Sequence, residues 1–130
     1  MKNWVQYTTP SMSRNLGRVQ FDAELADGVW MSVGNELVVS TNKDDRCYIQ
    51  SDLLRDGIRP FLAFRADILE SWLLERGEIV DVFSGKNAAG VCFRPDENPT
   101  SKVVGLALTI PDAYGEVVLR IMGKDLGVAQ

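Results

Sequence analysis

From residue 61 to residue 83 the sequence leaves room for little but strand, helix, strand, and this stretch constrains the rest of the chain most. Its middle is helical by period. Ile68, Leu69, Trp72 and Leu73 fall at i, i+1, i+4 and i+5, so at about 100° per residue they share one face. Asp67, Glu70, Ser71 and Glu75 fall mostly on the other side. Asp67 and Glu70 stand near the start and Arg76 at the end, where the helix dipole favours each sign. Gly77 suits the left-handed residue that follows a helix. The spacing predicts a helix over 66–76.

A helix beginning at Pro60 is the rival reading, since proline is a good first helical residue. That helix would turn Arg65 into the middle of the apolar face, between Ile68 and Leu69. Residues 61–64 therefore read as a short buried strand, and residues 78–83 as a second. Arg65 to Gly77 is 13 residues, close to the dozen or so that a parallel crossover needs. A right-handed strand–helix–strand unit is one arrangement of the pair, although the two strands need not be neighbours.

The chain has 130 residues, which predicts one domain over 1–130 with a core that needs no metal or disulfide. A net charge of −4 argues against a general binder of nucleic acid or anionic membrane, which would be basic. No apolar run is long enough for a membrane span. Met1-Lys2-Asn3-Trp4 leads into polar sequence with no apolar signal core, so the expected location is the cytoplasm. Cys47 and Cys92 fit that compartment as buried, reduced thiols. The chain has no histidine. That removes the commonest general base, the usual metal ligand and every Ser-His or Cys-His arrangement.

In chain order, residues 3–9 alternate weakly and read as a first strand ended by Pro10, and residues 11–17 as a polar loop. No acid precedes Asp22, whereas Lys2, Arg14 and Arg18 do, so this end reads as a solvated loop or a contact arm for an acidic partner. Residues 18–25 give the clearest alternation, Val19, Phe21, Ala23 and Leu25 against Arg18, Gln20, Asp22 and Glu24, and predict a half-buried strand. Strands are expected at 29–33 and 36–40, joined by Gly34-Asn35 as a two-residue hairpin. A further strand at 46–50 and a single capped helical turn at 51–57 follow. Beyond the central stretch, 91–94 is a short strand and 103–110 an apolar, central one. Residues 111–115 read as a proline-led turn, 116–122 as a last strand and 123–130 as a tail. The sum is a strand-rich α+β fold: an antiparallel meander, small sandwich or curled sheet packed by one main helix. A mainly-β barrel or jelly roll is the alternative.

Candidate chemistry is sparse. Ser84-Gly85-Lys86 shares the last residues of a phosphate-binding loop, but Val80 stands where the motif needs glycine. Lys43-Asp44-Asp45-Arg46 and Asp96-Glu97-Asn98 are acidic without the spacing of a known cation loop. Asp81 and Asp45 would make a carboxylate pair only if the fold joined them. No catalytic set, metal site or cofactor is indicated. Trp4, Trp30 and Tyr48 lie opposite the inward-facing residues, so they form either a second core layer or an exposed aromatic patch. With Tyr7, Arg14 and Arg18 they are the candidate binding residues. The expected function is a small acidic module, a monomer or homodimer, that binds a protein, and its net charge favours a basic partner. It would act as a stoichiometric inhibitor of the immunity-protein, antitoxin or phage-antagonist kind. A small-molecule-binding domain or histidine-independent carboxylate enzyme is one alternative, and a virion or other assembly component is another.

Overall fold

The computed structural model describes residues 7–26, 28–33, 36–40 and 61–125. The expected strand at 46–50, the helical turn at 51–57, the acidic run 43–46, Cys47, Trp4 and Tyr48 lie outside the described residues.

Helix α1 spans Pro10–Arg18. Proline is tolerated in a first turn because its missing N–H would find no helical partner there. The Thr9 hydroxyl caps the helix by accepting from the Met12 N–H at 3.3 Å. Met12, Ser13 and Leu16 are buried, and Arg14 and Arg18 stand on the exposed side. After the helix, Gln20 takes φ 61°, the Gln20 N–H bonds the Gly17 carbonyl at 3.1 Å, and the Phe21 N–H bonds the Leu16 carbonyl at 3.0 Å. These are the two bonds of a Schellman stop, and Leu16 and Phe21 bury together as that stop requires. A 3-10 turn over Ala23–Leu25 follows.

Two expectations fail at this point. Residues 11–17 are helix, and 18–25 is not a strand. The left-handed residue is glutamine, with Gly17 still inside the helix, so the usual glycine stop signal is misplaced. Phe21 is buried as the alternation required, but by the turn and not by a pleat.

Strands β1 (Gly28–Val33), β2 (Glu36–Ser40) and β3 (Phe61–Ala63) form one antiparallel sheet in the order β2-β1-β3. Val33 pairs with Glu36, so two residues join β1 to β2 as expected. Tyr7 makes an antiparallel bridge with Arg65, all that the described residues show of the first expected strand.

Helix α2 (Ala66–Leu74) is the helix read from the central stretch, ending two residues early. Leu69 and Leu73 are buried and Trp72 is half-buried. Arg76 completes the C-terminus by donating to the Trp72 carbonyl at 2.8 Å, with its guanidinium 3.6 Å from the centre of the Trp72 ring. Gly77 does not act as a left-handed cap; it opens the next strand.

Strands β4 (Gly77–Ser84), β5 (Ala89–Pro95) and β6 (Val103–Ala107) form the second sheet, a meander with β5 in the middle. β3 and β4 belong to different sheets, so the central stretch is not a parallel crossover. Among the described residues β6 is an edge strand, not the central one its apolar composition suggested.

Helix α3 (Ile110–Asp125) replaces the expected turn, last strand and start of the tail. Four of its buried residues, Ala113, Tyr114, Val117 and Val118, fall at i, i+1, i+4 and i+5, the same spacing as in α2. The alternation of Val117, Leu119 and Ile121 had favoured strand, and Pro111 sits harmlessly in the first turn. α3 approaches β6 closely at Gly105, where a Cβ would strike the Ala113 carbonyl and the Val117 side chain. The buried apolar side chains of α1, α2, β5 and α3 make one core, with Phe21 edge-on to Phe64 at 5.0 Å and to Trp72 at 5.4 Å. The fold is α+β as read; among the described residues there are three α-helices instead of one, and no barrel closes. No helix among the described residues is long and apolar enough to cross a membrane.

Candidate functional site

One face of the β4-β5-β6 sheet is covered by helices over β5 and β6 but open at β4, where Val82 is 40 % exposed; the other face carries no helix among the described residues. Along β5, Ala89, Val91 and Phe93 are buried. By the pleat, Gly90, Cys92 and Arg94 point the other way. The register places their neighbours. Phe83, Gly90 and Leu106 form one row across the three strands, and Asp81, Cys92 and Val104 the next. A third row pairs Glu78 with Arg94, whose side chains form an exposed ion pair at 3.1 Å. Residues opposite one another in a ladder share a face, so these rows define the sheet's outer surface.

That surface is apolar at one end. Phe83 is 47 % exposed, Leu106 62 % and Leu108, just past β6, 79 %. Gly90 lacks a side chain, and the Phe83 ring lies across it, in the space a Cβ would need. The ring is thus turned toward Leu106 and carried by backbone on a central strand. At the other end the surface is charged, with Asp81 and the Glu78–Arg94 pair. A bulge between Ile79 and Asp81 re-aims β4 at Val80, which is also exposed. Phe83, Val104 and Leu106 make an apolar strip next to an acidic end.

The residues singled out from sequence sit elsewhere. Tyr7 is 5 % exposed, too deep to meet a partner. Trp30 is half-buried and donates its indole N–H to the Thr8 carbonyl at 2.9 Å, which fixes it as a brace between the first sheet and the Tyr7–Thr8 segment. Thr8 is itself buried, its hydroxyl 2.7 Å from that of Ser13 and accepting from the Phe64 N–H at 3.2 Å. Arg14 and Arg18 lie one turn apart on the exposed side of α1, on a helix and not in a loop. Arg18 donates to the Asn15 side chain at 3.4 Å. Trp4 and Tyr48 lie outside the described residues. Of the described candidates, only the two arginines remain on the surface together.

Cys92 lies in a strand as expected, but half-buried and on the outer face. Ser84-Gly85-Lys86 leads into β5, not a helix, and the Gly85 N–H closes the turn on the Ala88 carbonyl at 2.7 Å. The segment is a hairpin connection, not a phosphate loop. Among the described residues no three Asp, Glu or Cys side chains gather as a cation would require.

Two further features have chemical character. Tyr114 on α3 donates its phenol to Glu70 on α2 at 2.7 Å. Burial first, then the hydrogen bond and the Glu70 charge, push the phenol pKa well above its ordinary value. The phenol therefore stays protonated and ties the two helices together. Beside α2 lies an open depression of about 280 Å³ lined by Leu25, Arg65, Ser71 and Trp72 among others. The Arg65 guanidinium grips Asp67 at its rim through bonds of 3.0 and 2.8 Å.

Sequence reasoning missed the outer strip because it placed 103–110 in the centre of a sheet. The signal was present: Val104, Leu106 and Leu108 alternate with Gly105 and Ala107, and the small residues mark the covered side. Comparison with protein-family models, with curated proteins and with solved structures finds no match to this chain.

Proposed function

We propose that this chain is a protein-binding module that acts by stoichiometric association, as an inhibitor or antagonist, and that its partner lands on the outer face of the β4-β5-β6 sheet. The exposed strip of Phe83, Val104 and Leu106 supports this reading. Apolar side chains scattered over a surface need no explanation, whereas a contiguous strip with an aromatic residue at its centre is the composition of an interface core. Phe83 has few rotamers to lose, since its ring already rests on Gly90. The acidic end of the face and the net charge of −4 favour a partner with basic groups around an apolar patch.

The test is affinity capture with the immobilised wild-type chain and with Phe83→Ser in parallel. Phe83→Ser removes a ring that is about half exposed and packs only over Gly90 of its own sheet, so the fold should hold. A protein retained by the wild type and lost with Phe83→Ser supports the reading. Equal retention by both places the contact elsewhere.

A further inference from the structure

We infer that the β6 edge pairs with the β6 edge of a second copy of this chain, joining two three-stranded sheets into one of six strands. The inference stands apart from the partner reading above.

The second sheet has two edges, and they are not alike. β4 carries the bulge at Val80 and the acids Glu78 and Asp81. Bulges and edge charges are the devices that keep a strand from pairing with another chain. β6 has neither. Residues 103–109 read Val-Val-Gly-Leu-Ala-Leu-Thr, with no charge, proline or bulge. Among the described residues no backbone group bonds β6 on the side away from β5.

The strand is also self-complementary. Antiparallel pairing about a two-fold axis at Gly105 sets Val104 of one copy opposite Leu106 of the other, and Val103 opposite Ala107. Every cross-strand pair is then apolar or glycine, and no like charges face one another. A two-fold contact needs such a self-matching patch. Depending on which amides point outward, pairing forms roughly four to six backbone hydrogen bonds. The outer strip of one copy continues into that of the next, so the Phe83–Leu106 surface doubles without a break. The opposing influence is the net charge of −4 on each copy, which acts at longer range than the uncharged edge and is weakened by salt.

Amide hydrogen exchange at low and high protein concentration, read beside sedimentation equilibrium, tests this with the unaltered chain. The expected result is a dimer that strengthens with added salt, with amides in 103–107 gaining protection as concentration rises while those of 78–83 do not. Leu106→Lys, whose side chain stands in water in the single copy, should weaken association by about tenfold or more. Val104→Lys is the second variant should the first fail to fold. A monomer at all concentrations, protection that appears on β4 instead, or a dimer undisturbed by a folded Leu106→Lys or Val104→Lys variant overturns the inference. Phe83→Ser should leave self-association intact, so loss of partner capture with a normal dimer marks failure of the partner reading alone.

Discussion

Replacing Leu73 by alanine tests the packing on which the fold depends. Leu73 is 0 % exposed and belongs to the single core that joins α1, α2, β5 and α3. Truncation of a buried leucine costs about 2–5 kcal/mol, more where the surroundings cannot collapse into the space. α2 has little freedom to collapse: Glu70 is tied to Tyr114 of α3 at 2.7 Å, and the chain enters β4 within three residues of the helix end. The upper half of that range, about 3 kcal/mol or more, is therefore expected. With a urea dependence of about 1–3 kcal/mol per molar, the unfolding midpoint falls by about 1–3 M at unchanged slope. Trp72 shares the helical face but is half-buried, so Trp72→Ala should cost less, about 1–3 kcal/mol, from lost area and the lost seat of Arg76. A loss under about 1 kcal/mol for Leu73→Ala would refute the packing argument and make that face of α2 an outer surface.

Asp112 accepts from both the Thr9 N–H at 2.9 Å and the Thr9 hydroxyl at 2.7 Å, so Asp112→Ala should loosen α1 from α3 and cost about 1–3 kcal/mol in the same urea assay. Tyr114→Phe should cost about 1–3 kcal/mol at neutral pH, because it strips Glu70 of its donor. The raised Tyr114 pKa adds stability that is complete below the unfolded value near 10 and is lost as pH rises above it, since the unfolded chain releases the proton first. Thermal unfolding of the wild type should therefore weaken above about pH 10 by a component absent from Tyr114→Phe. Half-buried Cys92 should react with a thiol reagent slowly but measurably, as read by peptide-resolved mass spectrometry, and a bound partner on the outer face should stop the reaction.

The central stretch was legible because the helical period dominated there: four apolar residues on one face, Asp67 in the first turn, and strands of β-branched and aromatic residues on either side, although the glycine stop read at Gly77 is not used. The hairpin of β1 and β2 was legible for a similar reason. α3 was not, because Val117, Leu119 and Ile121 alternate at period 2 while Val117, Val118 and Ile121 fit period 3.6, and Pro111 and Gly115 masked the earlier turns. α1 was hidden by its own polarity. It buries only Met12, Ser13 and Leu16, and its stop uses Gln20 where glycine is usual. The outer strip could be read only once β6 was known to be an edge, which is a property of topology and not of the residues in the strand. Tyr7 and Trp30 show the converse. As isolated aromatics they resemble anchors, and the fold uses them as braces.

The most direct measurement of the account is a titration of the captured partner's activity with the wild-type chain and with Phe83→Ser. The account predicts that activity falls linearly and stops falling at a fixed molar ratio, independent of incubation time, while Phe83→Ser has little effect at equal stability. Progressive loss of activity with time at sub-stoichiometric amounts of the wild type would contradict it and would identify a catalyst acting on the partner.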